Sequence, residues 1–393
     1  MALDVAAVQR ALRADSLDGW LLYDFHGSNP IAAGLAGLTG GGHMTTRRWY
    51  YLIPASGEPR GLVHAIERHN LDALPGGKTV YAGREQLESG LDGLLAGMTR
   101  IAMEYSPKCA IPYLSRVDAG TAEAIRARGI EILSSGDLVQ QFEAAWTPDQ
   151  LVSHRAASEK LYRIKDRAFE AAATAVGNGT ALSEYDLQQQ MVGWFDEEGL
   201  VSDSAPVVAI GANAGNPHYL PTATESRPLV RDQVLLLDLW GKQTAPGAVF
   251  ADITWVGFTG RAVAAEAAGA FRAIADARDA AIALVEDAAR NGRELRGWEV
   301  DRAARTVLQQ AGYGPHILHR TGHSLGESVH GNGVHLDDYE THDDRRVLPG
   351  TGFTIEPGLY FESFGVRTEI NMFRDAHEAR VTGPRQSEIV KLL

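Results

Sequence analysis

The feature of this chain that most constrains its fold is a set of carboxylates inside apolar, strand-like runs of sequence. Four residues each interrupt a run that otherwise predicts a buried strand: Asp238, Asp252, Glu356 and Glu369. A lone carboxylate is costly to bury, and several carboxylates close together repel one another. Any one of them alone is explained most simply by a paired arginine or a solvated strand face. Four of them in one region, with few basic residues beside them, favour a divalent cation on which they converge.

A histidine extends this set of acidic residues. His323 lies in the segment HRTGHSLG, between the two aspartates and the two glutamates in chain order. Carboxylate oxygens suit hard divalent ions, and imidazole suits manganese, cobalt, iron or zinc. Such a shell predicts a two-metal site with a bridging water of lowered pKa. Four carboxylates, two divalent ions and one hydroxide carry a net charge of about -1, which is tolerable in a buried site.

The composition of the 393-residue chain excludes several other kinds of site and partner. The only cysteine, Cys109, cannot form an intrachain disulfide, a cysteine-based zinc site or an iron–sulfur cluster. The chain has 50 acidic residues against 37 Lys and Arg, and this net charge of -13 argues against nucleic acid as a partner. No apolar run approaches the roughly 18 residues of a membrane span, and the charged N-terminus is unlike a signal peptide. We therefore expect no membrane association and a cytoplasmic location.

The pattern of elements predicts two domains that meet near the segment WTPDQ at 146–150. Pro148 interrupts any helix that continues from before it, and Thr147 can cap the next helix. Residues 1–146 alternate strand-like runs with helical patterns, as expected of an α/β domain. Residues 147–393 mix long helices with strands.

The predicted elements follow from hydrophobic periodicity and from the positions of turn residues. In the first domain the pattern predicts strands over 19–24, 48–53, 60–64, 78–81 and 100–105, and helices near 4–14, 66–74, 84–97, 112–127 and 136–143. In the second it predicts helices over 150–177, 262–291 and 298–311 and one that opens at Ser183, with strands over 205–210, 234–239, 249–258, 317–320, 352–356 and 366–373.

Further polar residues flank the five candidate ligands. His218 lies in the proline-flanked turn GNPHYLP, which could project its ring into a cleft. His330 follows His323 by seven residues, so a turn or bulge must intervene if both face one site. Arg367 lies two residues before Glu369 and would share its strand face, where it could hold a carboxylate. Hydrogen-bonded loop positions for His218 and His330, and a plain salt bridge for Arg367, remain open at this point.

The five candidate ligands, in their order and flanking sequence, resemble those of the M24 metallopeptidases. The matching segments are LLLDLWG, ADITWVGFTG, TGHSLGESVH, TIEPGLYF and VRTEI. The resemblance covers about residues 150–393, and DGWLLYD at 18–24 extends it to the non-catalytic domain of creatinases, prolidases and aminopeptidases P. It implies an α+β chain in which a C-terminal pita-bread metallopeptidase domain (147–393) follows a smaller α/β N-terminal domain of the creatinase and prolidase type (1–146).

The resemblance assigns a role to each candidate metal ligand. Asp238 would bind one metal ion, and His323 and Glu356 would bind the other. Asp252 and Glu369 would bridge both ions. Glu356 would also act in catalysis, by taking a proton from the bridging water and passing it to the leaving nitrogen.

The resemblance also assigns residues to the substrate side of the site. His218 and His330 would bind the scissile carbonyl region and stabilise the intermediate. Arg367 and Tyr360 match residues of the branch that cleaves Xaa-Pro bonds, and both are expected to act on the substrate. Because a proline nitrogen forms a tertiary amide without an N–H, ordinary peptidases handle this bond poorly.

Two segments depart from the usual family pattern. The stretch between the first two ligands is about three residues longer than usual, and Pro246-Gly247 is predicted to form its hairpin turn. The family often has His-Glu-x-Pro at the second histidine, whereas this chain has His330-Gly331-Asn332-Gly333. His335 and Asp337 are expected to replace substrate contacts made elsewhere in the family.

The implied function is that of a Xaa-Pro dipeptidase that acts on short proline-containing peptides through a metal-bridging hydroxide. Two divalent ions are expected, Mn²⁺ first and Co²⁺ or Zn²⁺ as alternatives, and family members commonly form homodimers. Three other functions stay open: an aminopeptidase P that acts on longer Xaa-Pro peptides, a metal-free creatinase-like hydrolase, and a non-catalytic pseudo-enzyme that binds a partner.

Overall fold

A computed structural model describes residues 3–39 and 44–393 of the chain. The chain divides into two compact units, Met1–Glu143 and Ala144–Leu393. A capping box opens the first long helix of the second unit. The Thr147 hydroxyl accepts a hydrogen bond from the Gln150 backbone N–H, and the Gln150 side chain accepts one from the Thr147 N–H. This reciprocal pair satisfies two backbone donors that the first turn leaves free.

The first unit is built on one six-stranded sheet. Its strands are β1 (Gly19–Asp24), β2 (Trp49–Pro54), β3 (Arg60–His64), β4 (Gly77–Tyr81), β5 (Arg100–Met103) and β6 (Glu131–Ser134). Its helices are α1 (Val5–Ala14), α2 (Pro30–Leu35), α3 (Arg84–Leu94), α4 (Ala119–Arg126) and α5 (Gly136–Val139). The strand order is β4-β3-β2-β1-β5-β6. Alternate residues of β1 enter different cores, since Trp20 and Leu22 pack on one face and Leu21 and Tyr23 on the other.

Of two predicted helices of this unit, one is wrong and the other is confirmed only in part. The segment 66–74 contains only a short 3-10 turn at Ala65–Glu67, and Leu71 has a left-handed backbone (φ 69°) that a right-handed helix cannot contain. The segment 112–127 starts with a 3-10 turn at Pro112–Leu114, and its α-helix begins only at Ala119, where the Asp118 carboxylate caps it by accepting the Thr121 N–H.

The second unit contains four helices and eleven strands among the described residues. The helices are α6 (Pro148–Asn178), α7 (Glu184–Glu198), α8 (Ala265–Arg290) and α9 (Gly297–Gln310). The strands are β7 (Leu200–Val201), β8 (Val207–Ile210), β9 (Val234–Gln243), β10 (Ala251–Phe258), β11 (Ser324–Leu325), β12 (Thr351–Ile355), β13 (Gly358–Tyr360), β14 (Gly365–Arg367), β15 (Ile370–Arg374), β16 (Ala379–Val381) and β17 (Val390–Lys391). One sheet has the order β17-β10-β9-β7 with β8 also paired to β9, and another has the order β11-β12-β15-β16.

The two faces of β9 explain how a carboxylate can stand inside an apolar strand. Leu235, Leu237 and Leu239 share one hydrophobic core with residues of α6 and α7. Side chains alternate along a strand, so the residues between them face the opposite way. Asp238 therefore lies on the face turned away from this helical core. The second sheet is backed in the same manner by α8 and α9, whose apolar residues share a core with Phe353.

Two predicted strands of the second unit differ in the structure. The run 366–373 is broken at Thr368-Glu369, which separates β14 from β15. The run 317–320 forms no strand. Two of its carbonyl groups instead accept from side chains: Ile317 O from the Tyr339 hydroxyl and Arg320 O from the His319 ring.

Of the helices in the described part of the chain, none combines the length and the apolar character needed to cross a membrane.

A buried histidine on α6 predicts how the stability of this unit depends on pH. His154 bonds through Nδ1 to Phe250 O and through Nε2 to the Thr382 hydroxyl, both at 2.8 Å. Burial lowers the pKa of His154 to about 4. Below pH 6.5 the unfolded chain binds a proton here and the folded chain does not, so the free energy of unfolding falls from pH 6.5 to about 4. The expected loss is about 3 kcal/mol for this one group.

Urea unfolding of the wild type and of His154→Gln at several pH values checks this prediction. The free energy of unfolding of His154→Gln should vary less between pH 6.5 and 4 than that of the wild type. His377→Gln, at an exposed position, is the matched control and should follow the wild type. Parallel pH curves for the wild type and His154→Gln would contradict the prediction.

Candidate metal centre

The ladder between β9 and β10 brings the first two candidate ligands together. Asp238 is paired with Thr254, and Trp240 is paired with Asp252, in antiparallel register. Directly paired residues share a face of the sheet, so all four side chains point the same way. The predicted turn is confirmed: Ala248 N donates to Ala245 O across Pro246-Gly247, and Gly247 has φ 76°. Proline followed by a left-handed glycine is the pattern of a type II turn.

His323 is held with one ring nitrogen directed at the acidic residues. Its Nδ1 lies 3.1 Å from Ser324 O, and a carbonyl can only accept, so this nitrogen carries the proton of the neutral ring. The other nitrogen, Nε2, lies 3.5 Å from a carboxylate oxygen of Asp252 and 3.5 Å from one of Glu356. A neutral imidazole with a free Nε2 is the form that binds a metal ion.

Two threonines hold the carboxylates of the two glutamates. Glu356 follows β12, and its Oε1 lies 3.2 Å from the Thr354 hydroxyl, which also accepts the backbone N–H of His323. Glu369 lies at the break between β14 and β15. Its Oε2 accepts a hydrogen bond of 2.7 Å from the Thr254 hydroxyl. The strand break therefore releases Glu369 from the regular ladder and lets its side chain meet β10.

The donor set fits a metal ion. Asp252, His323 and Glu369 each offer one ligand atom, and these three atoms lie within 4.8 Å of one another. One buried oxygen of Asp252 and one of Glu369 have no hydrogen-bond partner among the described residues. Such buried, unpaired anionic oxygens are costly unless a cation neutralises them.

The pKa values describe the same excess of negative charge. Burial, and next the charge of Glu356, raise the pKa of Asp252 well above its usual value. Burial, and next the charge of Asp252, do the same to the pKa of Glu369. Burial also raises the pKa of Asp238, to about 7, although Arg367 opposes it. For Glu356, burial raises the pKa, but the neighbouring His323, His319 and Arg367 side chains outweigh it, and the pKa is lowered.

Arg367 lies at the centre of a buried hydrogen-bond network. Its Nη2 donates to Asp238, its Nε donates to the Thr254 hydroxyl at 2.9 Å, and its Nη1 donates to the Tyr360 hydroxyl at 3.2 Å. The Tyr360 hydroxyl also lies 2.7 Å from Nε2 of His319. Arg367 therefore contacts the candidate ligand Asp238 rather than forming the plain salt bridge to Glu369 that was left open.

The predicted substrate-side histidines lie in different surroundings. The His330 ring meets the His323 ring edge to face at 4.4 Å between centroids, and desolvation lowers the pKa of His330 to about 4. His218 is exposed, in a loop whose neighbouring Tyr219 is anchored by the Glu184 carboxylate. His335 is buried, and its Nδ1 accepts the backbone N–H of Ser324. The substrate contacts of all three remain predictions.

Three polar residues that contact this site are not singled out by the sequence analysis. Thr254 and Thr354 each lie two positions from a ligand on the same strand face, and the period of a strand could have indicated them. His319 lies four residues before His323, in a segment that is neither helix nor strand. No regular spacing could have indicated that His319 reaches Tyr360.

Comparison with known proteins defines the class of protein. The model of metallopeptidase family M24 matches residues 156–373, more than half of the chain. The chain therefore belongs to metallopeptidase family M24, as the sequence predicts.

Individual relatives are distant in sequence. Xaa-Pro dipeptidase from Lactobacillus delbrueckii subsp. lactis is 28% identical over 243 residues, which are 59% of this chain and 58% of that protein. The chain thus matches less than two thirds of that relative.

Two solved structures show a similar fold. Dipeptidase PepE from Mycobacterium ulcerans has a TM-score of 0.70 at 21% identity and covers 99% of this chain and 96% of that one. Xaa-Pro dipeptidase from Bacillus anthracis has a TM-score of 0.60 at 18% identity and covers 100% of both chains. These likenesses confirm the expected fold class, a smaller α/β unit followed by the pita-bread unit of this family.

The position of Thr254 predicts that it tunes metal affinity. Its hydroxyl contacts Asp238, Glu369 and Arg367, so Thr254→Val removes the bonds that orient two ligands. We expect Mn²⁺ affinity to fall by roughly 10- to 100-fold, measured by competition with a chromophoric chelator. Thr259→Val is the matched control. Thr259 is buried directly after β10, and its hydroxyl donates to Val230 O. Equal Mn²⁺ affinity in the wild type and Thr254→Val would contradict the role of this hydroxyl.

Proposed function

We propose that this chain is a dinuclear-metal peptidase that hydrolyses the bond between the first residue and proline in Xaa-Pro dipeptides. The observation that carries the proposal is the convergence of two aspartates, two glutamates and a histidine on one buried site. Beside it, the buried pair of Arg367 and Tyr360 matches the branch of the family that cleaves Xaa-Pro bonds. We assign residues 147–393 to the catalytic domain and residues 1–146 to a non-catalytic domain.

The assignment of ligands follows the family pattern. Asp238 would hold one ion, His323 and Glu356 the other, and Asp252 and Glu369 would bridge the two. When bound, two divalent ions would activate a shared water and polarise the scissile carbonyl. Mn²⁺ is the expected metal, and Co²⁺ and Zn²⁺ are the alternatives. The unpaired buried oxygens of Asp252 and Glu369 support this assignment.

The residues of the chain perform the proton transfer. The lowered pKa of Glu356 keeps its carboxylate ionised near neutral pH, so it can accept a proton from the attacking water. It then donates that proton to the proline nitrogen, which leaves as a secondary amine. His330, whose lowered pKa keeps it neutral, and His218 would hold the scissile carbonyl region.

Arg367 stabilises the negative charge of the candidate ligands. Burial alone would lower the pKa of Arg367, but Asp238 and the other anions raise it well above its usual value, so the guanidinium stays charged. It offsets part of the negative charge of the ligands and fixes one oxygen of Asp238. The Tyr360 hydroxyl links this guanidinium to His319, so the three groups form one chain of hydrogen bonds beside the ligands.

Peptide hydrolysis with controlled metal content tests the proposal. Purified protein with Mn²⁺ should hydrolyse Ala-Pro, a chelator should abolish the activity, and Mn²⁺ should restore it. His323→Ala and Asp252→Ala should each reduce kcat at least about 1000-fold, because each removes a metal ligand. His377→Ala, at an exposed site, is the matched control and should retain activity.

Two results would change the assignment. If tripeptides and longer Xaa-Pro peptides are cleaved and dipeptides are not, the chain is an aminopeptidase P. If His323→Ala or Asp252→Ala hydrolyses Ala-Pro as fast as the wild type, the metallopeptidase mechanism is wrong. The homodimer and the cytoplasmic location remain predictions, and light scattering of the purified protein tests the first.

A further inference from the structure

Asp203 is an acidic residue beside the metal centre that takes no part in the chemistry described above. It lies in the bend at 202–206 that joins β7 to β8, and both of these strands pair with β9. Its side chain is exposed. An exposed aspartate in a bend is usually without consequence, so its surroundings decide whether it has a function.

The register of the sheet places Asp203 in line with a metal ligand. Trp240 is paired with Asp252 on β10, and Val201 is paired with Lys242 on the other side of β9. If the antiparallel pairing of β7 with β9 is continued by two residues, Asp203 lies opposite Trp240. The indole Nε1–H of Trp240 donates to Oδ1 of Asp203 at 2.6 Å, in agreement with this position. Neighbouring strands are about 4.8 Å apart, so Asp203 lies roughly 10 Å across the sheet from Asp252.

The charge of Asp203 is not neutralised by the protein. Among residues 3–39 and 44–393, no arginine or lysine lies within ion-pair distance of its carboxylate. Lys242, the next residue along the same face of β9, donates instead to Glu327 O at 2.6 Å.

We propose that Asp203, held in place by Trp240, binds the cationic side chain of a lysine or arginine in the first position of the substrate. This inference rests on the proposed function. An oriented carboxylate next to an indole ring offers an ammonium or guanidinium group both an ion pair and a cation–π contact. Asp203 is then a specificity-determining residue, and the preferred substrates are Lys-Pro and Arg-Pro.

The spacing favours the side chain over the α-amino group of the substrate. The α-amino nitrogen is only two bonds from the scissile carbonyl carbon, so it must lie among the ligands themselves. A carboxylate about two strand spacings from Asp252 is out of its reach. The four-carbon stem of lysine, or the longer side chain of arginine, spans this distance.

The first test compares matched substrates. The ratio of kcat/KM for Lys-Pro to that for norleucine-Pro, which has a similar length without the charge, should be about 10 in the wild type. Asp203→Asn keeps the acceptor for Trp240 and removes the charge, so the ratio should fall to about 1. Asp203→Glu keeps the charge and should retain a preference for Lys-Pro. Asp196→Asn removes an exposed charge on α7 and should leave the ratio unchanged.

The second test measures binding without turnover. Titration calorimetry of the Mn²⁺-loaded protein uses dipeptide analogues of Lys-Pro and norleucine-Pro whose peptide carbonyl is reduced to a methylene group. The lysine analogue should bind about tenfold more tightly, and Asp203→Asn should abolish the difference.

The two tests separate the failure of this inference from the failure of the proposed function. Hydrolysis of norleucine-Pro with no preference for Lys-Pro, or a preference that survives in Asp203→Asn, would overturn the inference alone. The absence of any Xaa-Pro hydrolysis would overturn the proposed function. In that case the calorimetric difference between the two analogues still supports or refutes the role of Asp203.

Discussion

The mutual repulsion of four carboxylates, three of them buried and that of Glu356 partly buried, is the constraint on which the rest of this structure depends. Arg367 and two threonine hydroxyls compensate part of this charge, but one oxygen of Asp252 and one of Glu369 keep no partner among the described residues. Burial and repulsion raise the pKa of both residues well above their usual values. A metal ion bound by these carboxylates would compete with protons, so its affinity would fall with falling pH.

The apolar residues that stabilise this unit and the candidate ligands lie on opposite faces of the strands. The long helices pack on the outer faces of the strands, and leucines at every second position of β9 contact them. The inner faces are left for Asp238 and its partners. Because a slip of one residue would turn every side chain to the wrong face, the ladder between β9 and β10 fixes the ligands and the core together. The turn at Pro246-Gly247 lies in the connection between these two strands.

Much of this arrangement could be predicted from the sequence, because it follows from regular spacing. The carboxylates interrupt apolar strands, and the ends of the long helices carry recognisable caps such as Thr147. The contacts that could not be predicted join residues far apart in the chain. A salt bridge from Arg367 to Glu369 was open from their spacing, yet Arg367 binds Asp238 on β9, a contact between residues far apart in the chain.

Local backbone geometry accounts for the other differences. Leu71 adopts a left-handed conformation, and the strand break at Thr368-Glu369 lies inside a run of sequence that is uniformly strand-like. Neither has a glycine or proline signal. The break is also what frees the Glu369 side chain to reach Thr254, so a departure from regular structure falls where the site requires it.

The measurement that tests the central claim most directly is anomalous diffraction from crystals of the protein soaked in Mn²⁺. The account predicts two anomalous peaks in the site, both adjacent to Asp252 and Glu369, with Asp238 beside one and His323 and Glu356 beside the other. Loss of these peaks in Asp252→Ala would agree with it. Anomalous peaks found only away from these carboxylates, or no bound Mn²⁺ at saturating concentration, would contradict it.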